Sequence, residues 1–459
     1  MKTTLVYPYK KKMFTGCNPP VSLLYLAAAL QRAGQDVSVV DMDEDDRSYG
    51  EVLDKIISES PDVVGIPLYT LALKDGYDFV RFMQKEQQPW KLLIGGPHVS
   101  VKLNEVMTEF ESCDFVLRGE AEDSIVALME SLDQGKDLSE VKGLTYRKNK
   151  SVIHNEEIDK PVDLDTLAFP ARDLLQSAYD KNTYWRLGHR GITDFIITSR
   201  GCPYNCNFCF RLAKKFRKRS PENIVAELKD LKARGIHNVH IMDDLFVWNK
   251  PHFFKVVQLI KEANLKMNFK VRARVNFIDE DMLKAMKEIG VKSVVYGIES
   301  GSQTILDAMN KKTTVEMNYR AIQITKQAGL QCYADMFLGY PGETPDTIEK
   351  TQELLLKARP TAINLSVMYP IPGTHVYNEA KEQGTLRDDW DIHGKRAWIK
   401  LPWIEHVDEL NVIRNRIVRK YLRHPIVFVN GIRATLGKLD WRQFKILVLY
   451  VLKQREFWS

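Results

Sequence analysis

The first 145 residues alternate short apolar runs with longer amphipathic stretches. Runs of strand length are each followed by a segment of helix length, which is the pattern of β–α repeats. Because strands joined by helices run parallel, the pattern predicts an α/β domain with a Rossmann-like, doubly wound parallel sheet over residues 1–145. The predicted strands are 3–7, 36–40, 63–67, 91–94 and 115–118, and the predicted helices include 22–33, 51–59 and 76–86.

A second series of strand and helix repeats follows a polar, irregular stretch. Residues 146–185, which contain Pro161 and the run Phe169-Pro170-Ala171-Arg172, are predicted to form a linker. Six repeats beyond it predict a partial (β/α)6 barrel of the TIM type over residues 186–395, with its chemistry at the carboxyl ends of the strands. The repeats then stop, and residues 396–459 are predicted to form a small, basic, helical C-terminal domain. The six predicted barrel strands are 194–198, 238–242, 268–274, 293–298, 331–338 and 362–367.

Composition places the chain among ordinary proteins of two or three domains. It has 459 residues, of which 44% are hydrophobic and 27% are charged. Residues 1–7 contain no apolar core long enough for a secretory signal. The apolar run 446–452 is far shorter than the ~20 residues of a membrane-spanning helix. We therefore expect a cytoplasmic protein without a membrane-crossing segment.

The excess of basic residues is concentrated in the C-terminal region. The net charge is +6, and residues 411–459 contain eleven Lys and Arg against two Asp and Glu. Basic residues such as Arg416 and Arg423, followed by the apolar run 426–429, suggest peripheral contact with the inner face of a membrane. A solvated helix face explains the same pattern. No stacking motif of the kind that reads RNA is present, so we expect no nucleic-acid partner.

Three of the six cysteines stand within eight residues, at Cys202, Cys206 and Cys209, directly after a predicted strand. An odd number of closely spaced cysteines does not suit disulfide pairing, and structural zinc normally takes four protein ligands. An iron–sulfur cluster with one iron left free of protein ligands fits better. Free cysteines and an oxygen-sensitive cluster also favour a reducing compartment.

The spacing Cys-x3-Cys-x2-Cys, with Phe208 just before the last cysteine, resembles the signature of the radical S-adenosylmethionine (SAM) enzymes. The resemblance extends over roughly residues 160–390. It implies a [4Fe–4S] cluster on Cys202, Cys206 and Cys209, whose unique iron binds the amino and carboxylate groups of SAM. It further implies reductive cleavage of SAM to a 5′-deoxyadenosyl radical, and an electron donor such as flavodoxin or ferredoxin. Phe208 would then shield the cluster from water.

Polar residues at the ends of predicted barrel strands are candidates for binding SAM. The resemblance places Asp243 and Asp244, after the second strand, near the amino group of SAM; a helix N-cap explains one aspartate but not both. Arg272 and Arg274 alternate on the third strand, so both face one side of the sheet. We favour Arg274 as the partner of the SAM carboxylate over a salt bridge to Asp243 or Glu299.

Two further candidates lie at later strand ends. Glu299 would be costly to bury without a partner, so it either binds SAM hydroxyl or amino groups or forms a structural ion pair. The run Phe337–Thr344 resembles the loop on the adenine side of SAM, and Gly339 within it would leave the backbone open to the base. No residue is predicted to act directly on the substrate.

The N-terminal segments around Asn18–Ala28, Gly65, Gly95-Gly96 and Gly119 resemble the cobalamin-binding domain that precedes many radical SAM domains. These glycines end predicted strands, where a ligand can approach the backbone, although plain turn glycines would also stand there. The Asp-x-His-x-x-Gly motif that often supplies a histidine to cobalt is absent from residues 9–16. Two interpretations stay open: the domain binds cobalamin without that histidine, or it is a scaffold that has lost it.

The resemblance therefore implies an enzyme with two alternative reactions. The first is cobalamin-dependent methylation of an unactivated carbon. The second is radical ring formation, rearrangement or dehydration without methyl transfer. The layout of the whole chain is similar to the anaerobic magnesium-protoporphyrin ester cyclases and the hopanoid-modifying radical SAM enzymes, which implies an apolar or lipid-like small substrate. A nonenzymatic binding protein would not need the cysteine triplet.

Overall fold

The computed structural model of the protein describes residues 1–10, 16–86, 88–148, 151–159, 161–186, 189–213, 215–390 and 395–427. Two parallel sheets dominate this part of the chain, one built from residues before 155 and the other from residues after 192. The prediction of an α/β protein with a parallel N-terminal sheet is confirmed.

The N-terminal unit is a seven-stranded sheet with helices between its parallel strands. The sheet order is β3-β1-β4-β5-β6-β7-β8, in which β1 and β3–β6 are parallel and β7 and β8 run antiparallel at one edge. In residues 1–186 the strands are β1 (Lys2–Tyr7), β2 (Gly16–Cys17), β3 (Asp36–Asp41), β4 (Val63–Pro67), β5 (Lys91–Gly95), β6 (Cys113–Leu117), β7 (Leu144–Lys148), β8 (Ser151–His154) and β9 (Trp185–Arg186), and the α-helices are α1 (Val21–Arg32), α2 (Tyr49–Glu59), α3 (Leu73–Lys85), α4 (Leu103–Glu109), α5 (Glu122–Asp133) and α6 (Gln176–Asp180).

The second unit is a six-stranded, fully parallel sheet whose strands pair in chain order, β10-β13-β14-β15-β16-β17. Its strands and the short strands near them are β10 (Thr193–Ile196), β11 (Ser199–Arg200), β12 (Arg217–Lys218), β13 (Asn238–Ile241), β14 (Asn268–Ala273), β15 (Val291–Glu299), β16 (Gln331–Leu338), β17 (Ala362–Val367), β18 (Leu386–Arg387) and β19 (Trp398–Ile399), and its helices are α7 (Pro221–Ala233), α8 (Lys250–Glu262), α9 (Glu280–Glu288), α10 (Gln303–Ala308), α11 (Val315–Gln327), α12 (Pro345–Ala358), α13 (His375–Glu382) and α14 (Val407–Leu422).

Alternation along the strands gives this second sheet two different faces. Residues such as Val271, Tyr296 and Cys332 are buried against the helices, as the hydrogen bond between Tyr296 Oη and Thr325 Oγ1 of α11 shows (2.8 Å). Residues of the opposite parity, such as Lys270 and Asp335, lie on the other face, which we call the inner face.

Local sequence explains where the helices of the second unit begin. Each of six helices starts after a Ser, Asn, Asp or Thr whose side chain accepts a hydrogen bond from a backbone N–H of the first turn, and three of them carry Pro in that turn. The capping residues are Ser220, Asn249, Asp279, Thr314, Thr344 and Thr374.

The stretch predicted as a linker is packed between the two units. Arg172 is 1% exposed and donates hydrogen bonds to Asp194 of β10 (2.7 Å) and Glu227 of α7 (2.9 Å). Tyr184 Oη donates to Asp41 of the first sheet at 2.8 Å. The stretch also includes β8, and the predicted boundary at residue 145 falls inside β7. These buried polar contacts fix the two units against each other.

The chain after the second sheet adds an antiparallel strand pair and one helix. Strand β18 pairs with β19 across the predicted boundary at residue 396. Helix α14 packs Leu410, Ile417 and Tyr421 against the sheet and helices. The remainder of the predicted C-terminal domain, residues 428–459, lies outside the described residues. Within the described part of the chain, no helix combines the length and the hydropathy needed to span a membrane.

Candidate active site

The cysteine loop leaves the sheet directly after β10. Its base is closed by β11 and β12, which pair antiparallel with Ser199 opposite Lys218 and Arg200 opposite Arg217. Gly201 has φ +79°, and a Cβ there would lie 2.8 Å from the carbonyl oxygen of Lys215, so only glycine fits. The strand pair and the glycine together hold the loop at the carboxyl edge of the sheet.

Cys202 and Cys206 are half-buried and Cys209 is exposed, all as free thiols. Among the residues that the structure describes, no three Cys, His, Asp or Glu side chains converge as the ligands of one metal ion would. Three thiolates, each binding a different iron, are the donor set of a [4Fe–4S] cluster that keeps one iron free of protein ligands. Structural zinc normally takes four protein ligands, so the three thiols suit a cluster better.

Arg274 lies against this loop. Its Nη1 donates to Sγ of Cys206 at 3.6 Å, its Nη2 donates to the carbonyl oxygen of Lys311, and its guanidinium carbon lies 3.7 Å from the centre of the Tyr204 ring. The side chain is therefore held beside a cluster ligand. Its predicted contact with the SAM carboxylate stays a prediction.

The paired aspartates have different surroundings. Asp243 is 1% exposed and accepts hydrogen bonds from the backbone N–H of Thr198 (2.6 Å), from Thr198 Oγ1 and from Ser199 Oγ (2.9 Å). Burial raises the pKa of Asp243 to about 6, although these hydrogen bonds oppose the shift. Asp244 is exposed and borders the cavity described below. Asp243 thus braces the start of the cysteine loop, and Asp244 is available to a ligand.

Glu299 forms a buried ion pair. Its Oε1 lies 2.5 Å from Nζ of Lys311, and both side chains are less than a tenth exposed. The backbone of Glu299 has φ +61°, which is uncommon for a residue other than glycine. The same ammonium group lies 5.7 Å from the centre of the Phe208 ring, which packs edge-on against Phe337 at 5.0 Å. The ion pair and the two rings form one wall beside the cysteine loop.

Gly339 is constrained by its neighbours. It has φ +96°, its backbone N–H donates to the carboxylate of Glu343, and a Cβ would lie 2.9 Å from Cδ1 of Leu410. Burial raises the pKa of Glu343 to about 7. The structure therefore assigns Gly339 a place in the packing of α14, and its predicted role beside adenine stays a prediction.

A cavity of about 440 Å³ lies between the two units. On one side it is bordered by Gly65, Gly95, Gly96 and Gly119 at the strand ends of the first sheet, together with the first turns of α1 and α5. On the other side it is bordered by residues 199–201 and 210–213 of the cysteine loop and by Met242 and Asp244 after β13. A neighbouring cavity of about 790 Å³ shares Gly119 and residues 210–213, so the two form one cleft.

An ion pair joins the units at the edge of this cleft. Arg200, next to the cysteine loop, donates to Glu122 of α5 at 2.6 Å and lies over the ring of Tyr25 of α1 at 5.4 Å. Both partners in the ion pair are mostly buried. The pair fixes the distance between the first sheet and the cysteine loop.

The space beside the strand-end glycines of the first sheet indicates whether cobalamin fits there. A Cβ on Gly95 would meet only the Leu117 carbonyl oxygen, at 3.9 Å, so the space beside Gly95 is open. A Cβ on Gly65 would lie 2.7 Å from Leu5, and one on Gly96 would lie 2.7 Å from the Leu68 carbonyl oxygen. The strand-end glycines therefore form a cradle without side chains at an apolar cavity, as a large ligand requires. The open space lies beside Gly95, whereas Gly65 and Gly96 are close-packed against Leu5 and Leu68.

His98 is the histidine that stands nearest in the sequence to the strand-end glycines Gly95 and Gly96. Residues 11–15, where the histidine motif would stand, lie outside the described residues. His98, which follows Gly95-Gly96, is 1% exposed, bonds Thr70 through Nδ1 at 3.1 Å and does not border the cavity. Burial lowers the pKa of His98 to about 4. In this arrangement His98 is a core residue rather than a ligand.

Sequence reasoning missed two residues of the site. Lys311 comes twelve residues after Glu299 in a loop, and Tyr204 is one of three aromatic residues between Cys202 and Arg211. No local pattern marks either one. The strand alternation does distinguish the two aspartates. If it is continued beyond β13, Asp243 lies on the same side as Ile241 and Asp244 lies on the same side as Met242.

Comparison with known proteins identifies both units. The Radical SAM superfamily matches residues 196–355, and the B12 binding domain matches residues 13–129. An uncharacterized methyltransferase of Pyrococcus horikoshii is 30% identical over 435 residues, which are 93% of this chain and 92% of that protein. The anaerobic magnesium-protoporphyrin IX monomethyl ester cyclase of Rubrivivax gelatinosus is 28% identical over 81% of this chain and 68% of its own length.

A solved structure has the same fold. The radical S-adenosylmethionine methyltransferase TsrM of Kitasatospora setae, determined with cobalamin and a [4Fe–4S] cluster bound, superposes with a TM-score of 0.75. The match covers 92% of each chain at 17% identity, so it supports the fold alone.

Proposed function

Because the chain belongs to the radical SAM enzymes that carry an N-terminal B12-binding domain, we propose that it methylates an unactivated carbon of a small molecule in the cleft between its two units. The predictions of an enzyme and of SAM, a [4Fe–4S] cluster and cobalamin as its cofactors are confirmed by the two family matches. The observation that carries the proposal is the 440 Å³ cavity, which the glycine cradle and the cysteine loop border together.

When bound, the cluster supplies an electron for cleavage of SAM, and cobalamin supplies a carrier for the methyl group. The thiolates of Cys202, Cys206 and Cys209 would hold the cluster, and Phe208 would keep water from its edge. Arg274 would stabilise the Cys206 thiolate through the hydrogen bond to Sγ.

Further residues would position SAM and cobalamin. Asp244 is the better candidate for the SAM amino group, because its carboxylate is exposed at the cavity whereas that of Asp243 is saturated with hydrogen bonds. Glu299 and Gly339 would contribute to the wall of the SAM site. Gly65, Gly95 and Gly96, all without side chains, would border the cobalamin.

The reaction is tested by anaerobic turnover with SAM labelled in its methyl group, followed by mass analysis of the products. Methylation predicts one labelled methyl group for each molecule of product. An unlabelled product whose mass has fallen by two hydrogens, formed together with 5′-deoxyadenosine, would instead establish ring formation.

Ring formation or another radical change without methyl transfer is the second candidate. Its support is the 28% identity to the magnesium-protoporphyrin ester cyclase over most of this chain. The largely apolar border of the cavity, which includes Leu5, Leu93 and Leu117, suits an apolar substrate for either reaction.

We also propose that the second sheet is the partial (β/α)6 barrel of this family. The proposal is supported by six parallel strands in chain order with helices against one face. The domains would then be residues 1–145, a linker 146–185, the radical SAM domain 186–395 and a basic C-terminal domain 396–459, although the linker packs with both neighbours.

Radical SAM enzymes act on small molecules and need an electron donor, for which flavodoxin or ferredoxin is proposed. We further propose that the C-terminal region brings the enzyme to an anionic membrane surface. Helix α14 supports this because it exposes Val412, Arg416 and Lys420. Co-sedimentation with anionic and neutral vesicles at low and high salt tests it: binding should need anionic lipid and fall with salt, and equal binding to both vesicles would contradict it.

A further inference from the structure

The arginine that precedes the cysteine loop belongs to a buried group of four charged side chains between the two units. Arg200 donates to Glu122 through Nη2 at 2.6 Å, and its Nη1 lies 3.6 Å from Oε2 of Glu120. Arg217, which stands opposite Arg200 in the β11–β12 pair, donates to Oε1 of Glu120. None of the four side chains is more than 15% exposed. We call Arg200, Arg217, Glu120 and Glu122 the inter-unit network.

The inter-unit network lies in the wall of the cleft. Arg200, Glu120 and Glu122 border the cavity of about 440 Å³. Arg217 and the same two glutamates border the neighbouring cavity of about 790 Å³. Glu122 is the first residue of α5, and Arg200 also lies 5.4 Å from the centre of the Tyr25 ring on α1. A large ligand at the strand ends of the first sheet would therefore contact the network directly.

Arg200 is also close along the chain to a cluster ligand. Gly201 is the single residue between Arg200 and Cys202. The backbone of Gly201 has φ +79° and packs against the carbonyl oxygen of Lys215, so it has little room to absorb a displacement. A movement of Arg200 would therefore be passed on to Cys202. The network thus connects the cavity at the first sheet with the loop that would carry the cluster.

The hydrogen bonds within the network leave a second arrangement open. Oε2 of Glu120 is buried and has no hydrogen-bond partner among the described residues, although Nη1 of Arg200 is 3.6 Å away. Burial lowers the pKa of Arg200, but the attraction of Glu122 and Glu120 more than offsets this and raises the pKa above its ordinary value. The carboxylate of Glu120 therefore lies between two guanidinium groups and is bonded to only one of them. A small shift of Arg200 would bond it to both.

We propose that Arg200 is a positioning residue that couples the two cofactor sites, so that cobalamin and SAM each strengthen the binding of the other. A ligand at the first sheet would fix Glu122 and Tyr25, and through Arg200 it would fix the loop beside the SAM site. The coupling is positive because the second ligand then binds a loop that is already ordered. The inference rests on the proposed function, because it treats the 440 Å³ cavity as the cobalamin site.

The test measures SAM binding to the full, cluster-loaded protein, with the cluster kept oxidised so that SAM is not cleaved. Anaerobic equilibrium dialysis gives the Kd for SAM without cobalamin and with saturating hydroxocobalamin. We expect cobalamin to lower this Kd by about fivefold or more, the range of ordinary couplings between two sites. Because such coupling is reciprocal, SAM should lower the Kd for cobalamin by the same factor.

Glu122→Gln should bring this factor close to one while the Kd for SAM without cobalamin stays near the wild-type value. The single variant leaves the guanidinium group of Arg200 without its main partner, which destabilises the fold. The double variant Glu122→Gln with Arg200→Met removes both charges, so it should fold and also lack the coupling. The matched control is Asp389→Asn, which breaks a 3.1 Å ion pair with Lys102 that likewise joins the two units. This control should keep the coupling.

Three results would overturn the proposal: the same Kd for SAM with and without cobalamin in the wild type, full coupling in the folded network variants, or an equal loss of coupling in Asp389→Asn. The second result, together with a lower melting temperature, would show that Arg200 is structural. Failure of the proposed function is distinguishable, because coupling without methyl transfer in any product would remove the methylation and leave the coupling in place. Wild-type protein that binds no cobalamin would contradict both.

Discussion

The guanidinium group of Arg274 donates a hydrogen bond to Sγ of Cys206 at 3.6 Å while its face covers the ring of Tyr204. A positive charge next to a cluster ligand favours the reduced, more negative cluster. Tyr204 and the carbonyl oxygen of Lys311 leave the guanidinium little freedom to turn away. This contact links the end of β14, the third strand of the second sheet, to the cysteine loop.

Arg274→Gln should lower the reduction potential of the cluster. The variant loses the positive charge that stabilises the reduced state, and we expect a shift on the order of tens of millivolts, where 59 mV is a tenfold change for one electron. Redox titration followed by electron paramagnetic resonance measures it. Arg274→Lys, which keeps the charge, should shift the potential less, and equal potentials in all three proteins would contradict the assignment.

Substituting Cys202, Cys206 or Cys209 by Ala should abolish both the cluster absorbance and the formation of 5′-deoxyadenosine. Three thiolates are the only ligands that the loop offers, so no single loss can be compensated. The matched control is Cys332→Ala, which removes a fully buried thiol on the helix side of β16. That control should keep its cluster. Unchanged cleavage of SAM in any of the three loop variants would refute the cluster assignment.

Glu299→Gln should destabilise the fold by about 3–5 kcal/mol, because it leaves the buried ammonium group of Lys311 without its partner. The double variant Glu299→Gln with Lys311→Met should recover much of this loss. Chemical denaturation measures stability, and equilibrium dialysis measures SAM binding by the double variant. Restored stability with weak SAM binding would show that Glu299 also contacts SAM, whereas normal binding would show that the ion pair is structural.

The strands were predictable because their apolar runs are continuous and end in glycine or polar residues. Strand β1, for example, spans Lys2–Tyr7 and was predicted at 3–7. The antiparallel edge formed by β7 and β8 was not predicted, because its sequence is polar and lacks a clean alternation. A single sequence shows periodicity within a segment and gives little information about which segments pair.

The site was predictable where neighbouring residues act together and not where distant residues meet. Cys202, Cys206 and Cys209 share one loop, so their spacing alone indicates the chemistry. Arg172 looked like part of a linker, because its partners are 22 and 55 residues farther along the chain. A structural ion pair of Glu299 was one of the two interpretations that the residues left open, but its partner, Lys311, was not identified.

Asp243→Asn and Asp244→Asn should affect different properties, the first stability and the second SAM binding. Asp243→Asn should destabilise the fold by roughly 1–3 kcal/mol, since an amide cannot accept all the hydrogen bonds from Thr198 and Ser199. Asp244→Asn should leave stability unchanged and weaken SAM binding. Thermal unfolding and equilibrium dialysis check the two effects. Weakened SAM binding by a fully folded Asp243→Asn variant alone would reverse the assignment.

The stability of the protein should also depend on pH through Asp243. Its pKa in the fold is about 6 against an ordinary value of 3.8. The folded state therefore holds the proton more tightly than the unfolded state, and the contribution of Asp243 to the free energy of unfolding decreases as pH rises through this interval. Asp243→Asn cannot titrate, so denaturation between these pH values should show a smaller decrease for the variant. Parallel curves would contradict the shifted pKa.

Gly95→Val and Gly96→Val should separate cobalamin binding from folding. A side chain at Gly95 would enter the open cavity, since the nearest protein atom is 3.9 Å away, so this variant should fold normally and lose cobalamin. A side chain at Gly96 would meet the backbone of Leu68 at 2.7 Å with φ at +94°, so that variant should lose about 2 kcal/mol or more of stability. Thermal unfolding and the cobalamin absorbance that co-elutes with the protein measure both. Full retention of cobalamin by folded Gly95→Val would place the cofactor outside this cavity and would remove the main structural support for methyl transfer there.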